Sequence, residues 1–351
     1  MVPAGAIVLS TRAPIGNLAI AERPVCTNQG CRSLVSIATV SSRFFYYQLG
    51  VLTAELNHRG RGTTFLELSS NELAAFKVHA PAYPDQERIA NFLDAQTARI
   101  DALIAEKELL VEKLGELWTA RLAYELGGAD KASKPAHYEW YPEVPENWRV
   151  MPFKHAVQFV EGPGIMASDF RDEGVPLLRV SSVRGAVATL DGCNYLDPDK
   201  VNKTWAHFRV KCGDLLISAS ASMGTVSLVN EETEGAVPYT GIIILRPRDG
   251  VATRDFIRSF VVSDHFMRQI DIIKAGATIQ HFGPTHLNQI IMAIPRSLDE
   301  QAEIARRLED SREQYAALKI QVAEHIARLR EYRSSLISAA VTGQIDVGAS
   351  R

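Results

Sequence analysis

Cysteine is scarce in this chain. Four in 351 residues (Cys26, Cys31, Cys193 and Cys212) form no CxxC pair. That spacing excludes a zinc ribbon and offers no disulfide framework, so the four read as small buried residues in a reducing compartment. No apolar run approaches the ~20 residues that cross a bilayer, and no basic segment precedes the short apolar stretch after Met1. Neither a membrane span nor a signal peptide is expected, which places the chain in the cytoplasm. Positive charge is not in surplus: 38 Lys and Arg face 41 Asp and Glu, a net charge of −3. Nucleic-acid binders usually carry a basic excess, so DNA contact here would need local basic clusters or phosphate contacts from a partner.

Signatures of catalysis are also missing from the sequence. There is no GxxxxGK[ST] phosphate loop, no GxGxxG after a strand, no HExxH or GxSxG, and no Asn-Pro-Pro-aromatic tetrapeptide of an amino-methyltransferase. Pro84-Asp85 and Pro198-Asp199 are not followed by the Glu-x-Lys a nuclease would need, and the nine histidines are scattered. No catalytic residue and no metal site is assigned.

What is present is one long helix written twice, at residues 85–126 and 299–341. A 3-4 spacing runs through Ile89, Leu93, Gln96, Ile100, Leu103, Lys107, Leu110, Leu114, Leu117 and Arg121. It recurs 215 positions later in Ile304, Leu308, Ser311, Tyr315, Leu318, Val322, His325, Leu329, Tyr332 and Leu336. Held over three heptads, that spacing predicts a coiled-coil seam, on helices roughly 60 Å long. Asp85 is placed to cap the first helix, and Gly127-Gly128 to stop it.

The repetition extends beyond the helices. Gly5–Ser10 matches Gly213–Ser218, Gly16 matches Gly224, Gly62-Thr63-Thr64 matches Gly276-Ala277-Thr278, and Leu73…Pro81 matches Leu287…Pro295. A β-rich domain plus a long helix is therefore duplicated. Strands are predicted at residues 6–10, 18–20, 34–37, 73–81, 176–180, 214–218 and 241–245, and helices at 44–56 and 254–270. Residues 127–147 read as a linker, 148–298 as the second β-rich domain and 342–351 as a tail. Residues 148–212 find no counterpart before Gly5, so residues 1–84 are read as a partial first domain that begins part-way through its module.

Several loops have the chemistry of recognition. Arg59-Gly60-Arg61-Gly62-Thr63-Thr64 is the most basic and the strongest choice for phosphate contact. Arg179, Ser181, Ser182 and Arg184 follow a strand, Ser220 and Ser222 lie in a small-residue turn, and Thr278, Gln280 and His281 end a third loop. Arginine and glutamine can bond base edges in a bidentate way, while hydroxyls position phosphates.

With these features in order, the chain resembles the DNA specificity (S) subunit of type I restriction-modification systems. The resemblance is carried by Pro145-Glu146-Asn147-Trp148, Val175–Arg179, Gly213–Ser218 with Gly224, Gly276-Ala277-Thr278, Ile294-Pro295…Glu300-Gln301…Ile304…Leu308 and the closing Ser335–Val347. It implies an α+β fold: two mixed α/β target-recognition domains, the first N-terminally incomplete, joined by two long antiparallel coiled-coil helices. It also implies a non-catalytic subunit that reads a bipartite double-stranded DNA site. Two DNA methyltransferase subunits and restriction/translocase subunits would dock on it, bringing S-adenosylmethionine, ATP and Mg. The alternatives are a non-reading scaffold or remnant that assembles partners through its coiled coil, and a self-contained nuclease.

Overall fold

Short strands with inward-facing aliphatics open the computed structural model, which describes residues 1–62, 66–220, 224–274 and 281–348. The chain divides into two units, one formed by residues 1–112 and 318–351, the other by residues 113–317. In the first unit, β1 (Ile7–Ser10), β2 (Leu18–Ile20) and β3 (Cys31–Leu34) form an antiparallel sheet in the order β2-β1-β3. Alternation along β1 buries Ile7 and Leu9 against Ile15, Leu49, Leu56 and Phe76. Helix α1 (Ser42–Val51) starts where the Ser41 hydroxyl accepts from Phe44 N, and it is followed by α2 (Thr53–His58) and α3 (Ser70–Ala74). The single helix expected at 44–56 is thus two, meeting at Leu52. The strand expected at 34–37 lies earlier, at β3. The strand expected at 73–81 does not form: its start is helical and residues 77–81 join no ladder. The first long helix, α4 (Tyr83–Gly127), runs from this unit into the other and stops at Gly128, which has φ +61°. Because α4 begins at Tyr83, Asp85 lies inside its first turn and is not its cap.

The second unit repeats and extends the pattern. Residues 127–147, expected as linker, contain the hairpin of β4 (Ser133–Tyr138) and β5 (Tyr141–Pro145). Next come β6 (Trp148–Pro152), the turn α5 (Phe153–Ala156) and β7 (Val157–Glu161). A mixed sheet is then built from β8 (Phe170–Arg171), β9 (Val175–Leu178) and β10 (Asn194–Leu196). After the short α6 (Pro198–Lys200) come β11 (Leu215–Ser218), β12 (Val226–Leu228), β13 (Val237–Pro238) and β14 (Ile242–Pro247). The two four-stranded sheets run β13-β9-β10-β8 and β12-β11-β14-β7. Helices α7 (Arg254–Val261), α8 (Asp264–Lys274) and α9 (Pro284–Leu287) precede β15 (Ile291–Pro295), which pairs with β6, and α10 (Leu298–Val341) closes the order. The helix expected at 254–270 is therefore also two, α7 and α8. Phe153, Phe256, Phe260, Phe266 and Trp148 fill the main core with the aliphatics of β11, β14 and β15.

The repeat is physical as well as textual. Each unit seats one end of a long helix on its α/β domain through the same buried glutamine. In the first, Gln86 Oε1 accepts from Ser41 N at 2.9 Å and Nε2 donates to Pro81 O at 2.8 Å. In the second, Gln301 Oε1 accepts from Thr253 N at 2.7 Å and Nε2 donates to Pro295 O at 2.9 Å. Both join the amide of a helix N-cap (before α1 or α7) to the carbonyl of the proline that ends the preceding segment.

Within each unit the portions of α4 and α10 pair antiparallel. Asp101 meets Arg333 at 2.8 Å and Glu108 meets Arg330 at 2.8 Å in the first unit. In the second, Glu125 meets Arg307 at 2.7 Å and the rings of Trp118 and Tyr315 lie 6.2 Å apart. The seam departs from the expected one at alternate steps along the later part of each helix. Ile89, Leu93, Ile100, Leu114, Ile304, Leu308 and Val322 are buried, and Tyr315, Leu329 and Leu336 half-buried. Leu103, Leu110, Leu117 and Leu318 instead stay 45–54% exposed, and His325 and Tyr332 are exposed too. At each of these steps the residue one position further on is the more buried: Ile104, Val111, Trp118, Lys319 and Arg333 are half-buried and Ile326 is buried. Leucine at the alternative positions satisfies a 3-4 spacing equally well, so pattern alone could not choose the face. Beside the first α/β domain the facing has a visible partner: Thr97, inward where Gln96 was expected, bonds Tyr47 Oη of α1 at 3.2 Å. None of the cysteines lies in the core, contrary to expectation: Cys26 and Cys212 are exposed and the other two half-buried.

Candidate nucleic-acid interface

Three of the loops with recognition chemistry converge in the second unit, on the turn between β13 and β14. Tyr239 N donates to Leu178 O at the end of β9, which leads into the Arg179 loop. The Arg179 guanidinium lies 4.6 Å from the centre of the Tyr239 ring and 5.6 Å from that of Phe170, and donates to Asn194 Oδ1 at 3.1 Å. On the other side of the turn, Gly241 O accepts from Ala219 N at 2.8 Å, bringing up the Ser220 loop. Gly241 has φ +84°, and a Cβ there would lie 2.6 Å from Ser220 Oγ, so both conformation and space require glycine. His281, on the third loop, places Nε2 3.1 Å from Glu161 Oε1, and that oxygen also accepts from Gly241 N at 3.2 Å.

This cluster combines a forked cation between two aromatic faces with a carboxylate–imidazole pair and an amide. Arg179 stacked in this way is held at low entropic cost, its remaining donors set in a plane. Glu161 and Asn194 supply acceptors, which suit base amino groups and repel phosphates. Glu161, Phe170, Asn194 and Tyr239 were not among the residues the sequence pointed to. A glutamate ending a strand and an aromatic in a turn carry no signal until the fold brings them beside Arg179.

Other expected contacts fall elsewhere. Ser182 is buried and its Oγ accepts from Arg179 N at 3.2 Å, so it shapes the loop instead of facing outward; Ser181 is half-buried. Arg184 is exposed and lines a different groove of about 290 Å³ with Arg258, Arg312 and Glu309, of which the last two pair with each other. In the first unit Arg59 and Arg61 both pair with Glu72, at 3.9 and 3.2 Å, and Arg12 pairs with Glu67 at 3.1 Å. The two cations of the most basic stretch of the sequence therefore share one glutamate, Glu72, which offsets half their charge. Thr63, Thr64, Ser222, Thr278 and Gln280 lie outside the described residues. Among the described residues no cluster of three or more His, Cys, Asp or Glu side chains could hold a metal ion, and no helix is long and apolar enough to cross a membrane.

Anchoring the second unit, Glu300 accepts from Trp148 Nε1 at 2.8 Å and Asn147 Nδ2 at 2.7 Å, and pairs with Lys131. Burial opposes its ionisation, but these donors outweigh burial and hold the carboxyl below the usual range.

A family model described as the type I restriction modification DNA specificity domain matches residues 1–113. Over that stretch the chain is similar to the type I restriction-modification DNA specificity family. It is 28% identical over 182 residues to the MjaIX specificity subunit of Methanocaldococcus jannaschii, a match spanning 51% of this chain and less than half, 42%, of that one. To the EcoBI specificity subunit of Escherichia coli it is 22% identical over 341 residues, 92% of this chain and 70% of that one. A solved chain from a study of complex assembly and conformational transition of the type I R-M system superposes with a TM-score of 0.79 at 18% identity, over 98% of this chain and 83% of that one. The HsdS subunit from Thermoanaerobacter tengcongensis gives a TM-score of 0.59, also at 18% identity, over 98% and 82%. At that identity the likeness carries the family's fold and leaves the base-reading loops to be argued from this chain.

Proposed function

We propose that the chain is a DNA-specificity subunit that reads one half of a split site with each α/β unit and performs no chemistry itself. The observation that carries this reading is the convergence of the Arg179, Ser220 and His281 loops on the β13–β14 turn, in a chain whose two units seat the same helix ends through equivalent glutamines. Arg179, with its stacked fork, acts as a base-edge donor, and Glu161 and Asn194 as acceptors for base amino groups. Arg184 and Arg258 take phosphates, which fix register without carrying sequence information.

Two DNA methyltransferase subunits and restriction/translocase subunits are the partners, bringing S-adenosylmethionine, ATP and Mg. The leucines left outside the seam in the first unit, Leu103, Leu109 and Leu110, offer a helix face on which a partner helix packs. Partners that also clamp the duplex account for a chain with net charge −3 holding DNA at all.

The test is selection from a random double-stranded library by the chain co-purified with its methyltransferase. Enrichment of two short blocks separated by an unspecified spacer is expected. Retention of DNA with no enriched sequence would show a scaffold instead, and metal-dependent cleavage by the chain alone would show a nuclease.

A further inference from the structure

The carboxylate of the candidate interface is used at one oxygen only. Glu161 closes β7, where it lies opposite Ile243 of β14, and the next residue, Gly162, donates its N–H to Ile242 O at 2.9 Å. The side chain is therefore mounted on a hydrogen-bonded ladder, a more exact support than a loop. Its Oε1 accepts from Gly241 N at 3.2 Å and lies 3.1 Å from His281 Nε2 and 3.5 Å from Thr240 Oγ1. A backbone N–H can only donate, so Gly241 requires an acceptor at that position.

The other oxygen is different. Among the described residues no donor reaches Oε2, and it is not one of the buried side-chain atoms that lack a partner, so water reaches it. Gly283 stands beside it, and a Cβ there would come within 3.3 Å of Oε2. Across the same turn, Arg179 commits Nη1 to Asn194, and no acceptor among the described residues takes Nε or Nη2. The turn thus presents an acceptor on one side and a donor fork on the other.

With the DNA reading proposed above as its premise, the base that suits Oε2 follows from the major-groove edges. A carboxylate oxygen only accepts. Guanine and thymine offer acceptors there and are repelled. Adenine offers its N6 donor beside the N7 acceptor, which suits an amide better than a carboxylate. Cytosine offers the N4 donor alone. We propose that Glu161 is a specificity-determining residue whose Oε2 accepts from N4 of a cytosine in the half-site read by the second unit.

Glu161→Gln tests this sharply. Because Gly241 N needs an acceptor, the glutamine carbonyl stays at the Oε1 position and its amino group takes that of Oε2, turning an acceptor into a donor. Thymine O4 occupies the place of cytosine N4 on the groove edge, so the preferred base should change from cytosine to thymine. The experiment is selection from a random double-stranded library by the full chain co-purified with its methyltransferase, natural and Glu161→Gln. One cytosine in one half of the split motif is expected to become thymine, with the other half and the spacer unchanged. Replacing the exocyclic amino group of that cytosine by hydrogen should weaken the natural chain about tenfold or more and should not weaken the variant. Should Glu161→Gln fail to fold, the same replacement at each cytosine of the natural chain's site decides. The proposal is overturned by an unchanged motif, by a change to a base other than thymine, or by a site in which no cytosine amino group matters. Those results leave the split-site reading standing, whereas enrichment of no split motif by the natural chain removes both.

Discussion

Gln86 and Gln301 are each at most 3% exposed, and each joins an N-cap amide to a proline carbonyl. Removing such a side chain strands several polar groups in a place water does not reach, at about 1–3 kcal/mol for each. Gln301→Ala is therefore expected to lower the unfolding transition of the second unit and leave that of the first in place, with Gln86→Ala doing the reverse; calorimetry on the full chain separates the two. Glu300 gives a pH dependence. Its folded carboxyl is held below the ordinary glutamate value, so the stability it contributes is present above that value, about 4.3, and is lost as pH falls through the folded value. Acid unfolding of Glu300→Gln should consequently be shallower over that window than that of the natural chain. At the candidate interface, Arg184→Ala should weaken DNA binding uniformly across sequences and reduce the salt slope by about one. Arg179→Ala should instead relax sequence preference, as read by competition between related sites.

The long helices were the most legible elements, because length, stop signals and a 3-4 spacing all agree over some forty residues. Their outer limits hold to within a residue or two. Their facing was not legible: Leu103, Leu110 and Leu117 compete with Ile104, Val111 and Trp118, and the structure turns the second set inward. Leu93→Ala, at a fully buried seam position, is expected to cost ~2–5 kcal/mol. Leu103→Ala should lie within about 0.5 kcal/mol of the natural chain in urea melts and lower recovery of the methyltransferase in pull-down. Strand errors have a similar origin. Residues 73–81 have the apolar content of a strand, but a strand needs a neighbour, and the neighbour that β15 finds in β6 has no equivalent beside them among the described residues. Loops were legible in chemistry and not in partnership: Arg59 and Arg61 read as free cations until the fold brings Glu72 to both.

At the scale of the whole molecule, duplication organises everything else. Both long helices contribute one portion to each unit, so each unit holds an α/β domain and a segment of antiparallel helix pair. Two α/β domains with separate loops, each holding part of both long helices, suit the proposed reading of a split DNA site. Methylation mapping by long-read sequencing tests this division of labour most directly. Cells would express the methyltransferase with either the natural chain or a chain carrying Arg179→Ala and His281→Ala. Methylation at a split motif is expected with the natural chain, and, with the variant, degeneracy in one half while the other half and the spacer length persist. A contiguous motif, or equal loss of preference in both halves, would contradict two-unit reading.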